Sequence, residues 1–274
     1  MTQFFASPNV QTALVASAVV AALSAAIGYF VVLRGLSFAG HAVTDIGLTG
    51  GAGALLVGID PLWGLIAFSV LAALAVGTLG DRARERDIAT GLVLAAALGI
   101  GALFLHLQTR YANAQSTLLF GSVFQTDPRL VRAVCIIGVV ALVALAALFR
   151  PLLFATASPD AARIAGVKTR AIGLAFLAIM AVAVAETAQM VGVLIATALL
   201  IGPAATALAL VQRPLAGFGL AIAIGISEAW LAIALAYASF GWSSGRNGWP
   251  VSFFVAAFAL GALVIARATR NRRA

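Results

Sequence analysis

His41 and Asp45 stand four residues apart in Gly40-His41-Ala42-Val43-Thr44-Asp45-Ile46-Gly47, inside an otherwise apolar run. On a helix that spacing puts the imidazole and the carboxylate on one face. Nitrogen and oxygen donors in that mix suit a hard divalent metal such as Mn²⁺ or Fe²⁺, whereas Zn²⁺ favours more histidine or a cysteine. A carboxylate at bilayer depth costs roughly 2.5–3.5 kcal/mol on insertion scales. A chain that is 63% hydrophobic and 9% charged does not carry one idly. The spacing therefore points to a cation path past His41 and Asp45, the alternative being a polar pair that only ties two helices together.

Two further acids enter the same argument. Asp45 is eleven residues from Arg34, which at about 1.5 Å per residue is roughly 16 Å into a core about 30 Å thick. Glu228 falls near the centre of its own apolar window, so it and Asp45 would present negative charge at one depth from different helices. Glu186 lies near the outer end of its window and is expected within reach of water, as an entry residue or as a solvated helix end. His106, at the end of another window, reads more readily as a hydrogen-bonding surface residue than as a ligand. Cys135 is the single cysteine, so no intrachain disulfide forms, and its apolar setting suits a small packing residue.

The frame for these residues is a series of apolar windows, judged against a need for about 20 residues per crossing. They run over 11–33, 36–58, 62–80, 88–107, 130–149, 171–188, 191–211, 215–239 and 250–266. A mean hydropathy of +1.09 and this end-to-end repetition predict an all-α, polytopic membrane protein of about nine transmembrane helices. Residues 1–274 then form one transmembrane domain, with no room for a soluble domain of ordinary size. Met1–Val10 carries no basic segment, so no cleavable signal peptide is expected. Residues 108–129 are expected to form a loop with a short interfacial helix, and 240–249 a turn rich in Gly, Ser and Trp.

The net charge of +8 does not indicate nucleic acid, because the basic residues sit in short connections and at the C-terminus. With the N-terminus outside, thirteen of the seventeen Lys and Arg residues fall on the cytoplasmic side and only Arg110, Arg129, Arg132 and Arg246 fall outside. The bias of basic residues toward the cytoplasm predicts that orientation, with the C-terminus inside.

Two local signals remain. Ser158 to Gly166 reads as a complete short helix beyond the membrane: Ser158 as cap, Pro159 at the first position, Asp160 on the positive end of the dipole, Arg163 within, and Gly166 as the stop. So short a helix needs a dock. Gly202-Pro203, halfway along the seventh window, predicts a helix break of the kind that borders substrate paths. The chain has no Gly-x-x-x-x-Gly-Lys loop for ATP hydrolysis, and neither His-Glu-x-x-His nor Gly-x-Ser-x-Gly for hydrolytic catalysis.

With these residues in place, the chain resembles the membrane permease subunit of the bacterial zinc/manganese/iron ABC transporter family over nearly its whole length. Gln189-Met190-Val191-Gly192-Val193-Leu194, running into Leu199-Leu200-Ile201-Gly202-Pro203-Ala204-Ala205-Thr206-Ala207, is similar to that family's VG-x-LL…LL-x-x-PAATA segment. Val32-Leu33-Arg34-Gly35-Leu36-Ser37 with the His41–Asp45 stretch is similar to its LR-x-x-x…GDA-x-SH opening. Ser158 to Gly166 resembles its DPE-x-AR-x-x-G helix, and Trp249-Pro250-Val251-Ser252 the segment before its last span. One departure stands out: the family order is Asp then His, exchanged here, which keeps the helical face but changes which donor lies nearer the cytoplasm.

The resemblance implies a permease fold like that of the vitamin B12 importers. It implies two copies of the chain forming the path, a cytoplasmic ATP-binding subunit docked on Ser158–Gly166, and an extracytoplasmic metal-binding protein delivering the cargo. The expected function is import of Mn, Zn or Fe through the bacterial inner membrane by alternating access. His41, Asp45 and Glu228 would be ligands and Gly202 and Pro203 would lie at the moving segment. The chain would be no enzyme and would keep no permanent cofactor. An ion-coupled transporter working without an ATPase is the alternative.

Overall fold

The computed structural model describes residues 8–78, 83–107, 128–241 and 248–271. Among the described residues the chain is helical, with nine helices of 18 residues or more and one of six. In order these are α1 (Pro8–Leu33), α2 (Ser37–Leu56), α3 (Pro61–Thr78), α4 (Ala83–His106), α5 (Pro128–Ala157), α6 (Pro159–Ile164), α7 (Thr169–Val191), α8 (Val193–Leu210), α9 (Pro214–Ser239) and α10 (Val251–Asn271). The interfacial helix expected within 108–127 and the centre of the 240–249 turn lie outside the described residues.

Five helices are long and apolar enough to cross a membrane: α1, α5, α7, α9 and α10. Three others, α3, α4 and α8, carry shorter apolar runs. α2 is in neither set, because His41, Thr44, Asp45, Thr49 and five glycines dilute its apolar character. Its interior is nevertheless well buried, from Ala42 through Thr44 and from Ile46 through Ala52. Protein, not lipid, covers α2, and this is how so polar a helix is accommodated.

α1 is the central post, packed on α5, α7, α8 and α9. Its contact with α8 is made by Gly28, where a Cβ would overlap the Leu200 carbonyl. Small residues that let backbones approach take over the role that hydrophobic burial plays in water. α2 meets α3 in the same way, through Gly50 and Gly64, each of which faces the other's carbonyl oxygen.

The end of the bundle that carries α6 is closed by aromatic side chains. Phe30 meets Phe149 at 5.5 Å and Phe176 at 6.0 Å edge-on, and Phe149 meets Phe218 at 4.9 Å. The Arg34 guanidinium lies 5.5 Å from the Phe176 ring centre. On the outside of α5, Ile136, Val139, Val140 and Val143 form an exposed apolar stripe, as a lipid-facing helix requires.

Two expected boundaries move. α5 does not stop at Phe149 but runs through Arg150 and Pro151 to Ala157. Phe149 and Leu152 are packed into the core on either side of that proline, and this packing outweighs the hydrogen bond it removes. α4 begins at Ala83, within the charged stretch expected to be a loop.

The expected break at Gly202-Pro203 is corrected as well. α8 passes through Pro203 as one helix, and the boundary expected between the windows ending at 188 and starting at 191 falls at Gly192, where φ is +96° and ψ is +150°. Only glycine adopts that backbone freely, so this single residue separates α7 from α8. Gly202 serves packing: a Cβ there would stand 2.6 Å from the Ala259 Cβ of α10.

α6 is shorter than the expected span. Pro159 opens it and Asp160 lies in its first turn, but the Ser158 side chain makes no cap hydrogen bond. The Val167 N–H donates to Ala162 O at 2.9 Å, and Gly166 closes the turn with φ +79°. Ala162 is buried, whereas Ile164 is 89% exposed. Asp160 and Arg163 form an exposed ion pair at 3.8 Å.

Candidate metal site

The i, i+4 spacing on α2 brings His41 and Asp45 together as expected. Nε2 of His41 lies 3.6 Å from Oδ2 of Asp45, with the two side chains 47% and 18% exposed. Every other residue from Ala39 to Thr49 is buried, so the pair marks the one accessible strip in the middle of this helix. Two donors at this separation can share one cation, each at about 2.0–2.2 Å. An open site with two protein ligands leaves room for water or further donors.

Thr197 was not legible in the sequence as part of this site. Its Oγ1 lies 3.1 Å from His41 Nδ1, across from α8. A hydrogen bond at one ring nitrogen fixes which nitrogen is left for a metal, and here Nδ1 is engaged while Nε2 turns toward Asp45. The only signal in the sequence is that Thr197 is a hydroxyl in the apolar stretch Val193-Leu194-Ile195-Ala196-Thr197-Ala198-Leu199.

Glu228 is not brought to the pair. It sits on α9, 4% exposed, with neither carboxyl oxygen meeting a partner. α9 packs on α1, α8 and α10, whereas α2 packs on α3, α4, α7 and α8 and more lightly on α1. α8 touches both helices: Thr197 reaches His41 on α2, and Pro203 lies 3.6 Å from the Cβ position of Gly225, one turn before Glu228, on α9. Among the described residues no three His, Cys, Asp or Glu side chains gather as a metal cluster.

Glu186 also departs from expectation. Far from being reached by water, it is fully buried, because α7 turns it inward against Val19 of α1 and Gly138 of α5. His106 lines a cavity of about 410 Å³ between α2 and α4, with Thr49 and Gly101 on its wall.

The comparisons with known proteins agree with this architecture. The ABC 3 transport family matches residues 6–266, and the chain belongs to that family. The manganese transport system membrane protein MntC of Halalkalibacterium halodurans is 28% identical over 212 residues, covering 77% of this chain and 73% of its own. A probable iron transport system membrane protein of Haemophilus influenzae is 28% identical over 229 residues, covering 83% and 84%. Among solved structures, PsaBC from Streptococcus pneumoniae in complex with Fab superposes with a TM-score of 0.83 at 23% identity, over 95% of this chain and 91% of that one. The fold is thus that of an ABC-type membrane permease, and the chain is a transport subunit, not an enzyme.

Proposed function

We propose that this chain is the permease subunit of an importer that carries a divalent transition metal, Mn, Zn or Fe, into the cytoplasm. The observation that carries the reading is the accessible His41–Asp45 pair, its imidazole held by Thr197, in a stretch of α2 from Ala39 to Thr49 that is otherwise buried. The names of the manganese and iron relatives support it. In this reading the chain crosses the inner membrane nine times with its N-terminus outside. Two copies form the path, an extracytoplasmic protein delivers the metal, and ATP is hydrolysed on a separate cytoplasmic subunit. Glu228 joins the cation only as α8 moves relative to α9, in the course of alternating access. Gly192 is the joint, and Gly202 and Pro203 lie on the moving helix.

The reading is tested in vesicles reconstituted with the chain and its ATP-binding partner, loaded with ATP, supplied outside with the extracytoplasmic metal-binding protein, and assayed for uptake of Mn²⁺. ATP-dependent accumulation is expected. Equal accumulation driven by an ion gradient in vesicles without any ATPase would replace the reading with a secondary transporter.

Two results are expected alongside. Thr197→Val releases the imidazole while keeping the shape of the side chain. Loss of a second-shell partner of this kind costs about 10–100-fold in metal affinity, which appears as a rise in the Mn²⁺ concentration needed for half-maximal uptake. At the other end of the bundle, Ile164 projects from α6 with nothing of its own chain to cover it. Ile164→Glu is expected to lower co-purification of the ATP-binding subunit, as is deletion of Pro159 to Ala165; unchanged co-purification in both would remove α6 from the coupling contact.

A further inference from the structure

Glu186 is a buried acid that the His41–Asp45 site does not use. It is 0% exposed on α7, and neither carboxyl oxygen has a hydrogen-bond partner. A Cβ at Gly138 of α5 would stand 3.1 Å from its Oε2 and 2.8 Å from Val19 Cγ1 of α1, so the carboxyl lies against the bare backbone of that glycine. Cys135, one turn earlier on α5, is within electrostatic range. The neighbouring hydroxyls are engaged elsewhere: Thr187 Oγ1 donates to Ala183 O at 2.7 Å and lies 3.0 Å from Ser24 Oγ.

A carboxylate so placed needs a positive partner, because desolvation without one is too costly for a packed bundle. A metal ion takes about four to six ligands. Here no three metal-ligating side chains gather among the described residues, and a Cβ at Gly138 would already meet both Val19 and Oε2, which leaves little space. A proton needs one oxygen and no added room.

The helices packed on α7 supply few other titratable groups. α1 has Tyr29, with Arg34 beyond its end; α5 has Arg129, Arg132, Cys135 and Arg150. α2 has His41 and Asp45, α6 has Asp160 and Arg163, and α3 and α8 have none. Neither carboxyl oxygen of Glu186 takes a hydrogen bond from any of them. We propose that Glu186 is a proton-binding site at the α1–α5–α7 junction, a neutral carboxylic acid while the junction is closed, which releases its proton to water when the helices part. The bound proton then favours the closed junction, and raising the pH favours opening. Only the link from this opening to metal movement rests on the importer reading.

The test is infrared spectroscopy of the full-length chain in lipid nanodiscs, following the carbonyl stretch of protonated carboxylic acids. One such band, sensitive to deuterium exchange, is expected to disappear in Glu186→Gln and to persist in Glu228→Gln. Gly138→Ala, which crowds Oε2, is expected to shift the same band and serves if the Gln variant does not fold. Loss of a carboxylate band in place of an acid band, or no change in either variant, would overturn the proposal. A pH profile of Mn²⁺ uptake that Glu186→Gln leaves unaltered would overturn the link to transport while the band decides the proton site.

Discussion

Asp45→Ala is expected to abolish metal uptake while leaving the protein in the membrane in normal amount. The carboxylate is the anionic half of the only His–acid pair found among the described residues, and a dication leaving water needs that charge more than it needs any neutral donor. Losing a second-shell partner already costs about 10–100-fold in affinity, so losing the ligand itself is expected to cost more than about 100-fold in uptake at low metal. The fold has little at stake in this residue. Asp45 is partly exposed, it pairs with His41 on its own helix, and removing a charge from a membrane-embedded helix eases insertion. Immunodetection in membranes beside radiolabelled Mn²⁺ uptake separates the two effects. Near-normal uptake by the variant would remove Asp45 from the path.

Gly28→Ala is expected to have the largest effect on stability. A single methyl group there would overlap the Leu200 carbonyl oxygen, and the atom in its way is backbone, which has no rotamer to give. Overpacking costs about 1–3 kcal/mol when side chains can adjust, so the upper end of that range or more is expected. Separation of α1 from α8 would also shift Thr197, which is three residues before Leu200 on α8 and orients His41. Thermal unfolding in detergent, followed by fluorescence of the half-buried Cys135 after thiol labelling, should show a clearly lowered midpoint. Gly91→Ala is the control, since a Cβ there meets nothing within 4 Å.

The comparison of sequence with structure divides along physical lines. Helix periodicity placed His41 and Asp45 on one face, because an i, i+4 pair depends on local geometry alone. Apolar windows located the helices for a similar reason: lipid demands that each crossing satisfy its own backbone. Helix rotation is another matter. Nothing local distinguishes Glu186 facing water from Glu186 facing Gly138, since that is decided by which helix packs against it. Glu228 was matched to Asp45 by depth alone, and depth is blind to which helices α2 and α9 pack against. Thr197 lies 156 residues from His41 in the chain, so no spacing rule could join them.

The two prolines illustrate one lesson. Pro151 and Pro203 each remove one helical hydrogen bond, and local reasoning ends or breaks a helix at both. In the bundle, Leu152 is buried beside the first and Gly202 packs on Ala259 beside the second, so both helices continue. The turn that does divide the chain, at Gly192, lies within a few residues of the gap between the windows 171–188 and 191–211, but its positive φ shows in the sequence only as one glycine among 27.

The most direct measurement is electron spin-echo spectroscopy of Mn²⁺ bound to the assembled transporter in nanodiscs, with the imidazole nitrogens labelled with ¹⁵N. A nitrogen coupled to the bound manganese, present in the wild type and absent in His41→Gln, is the expected result. Bound manganese with no imidazole coupling, or with a coupling that survives His41→Gln, would contradict the claim that the cation passes between His41 and Asp45.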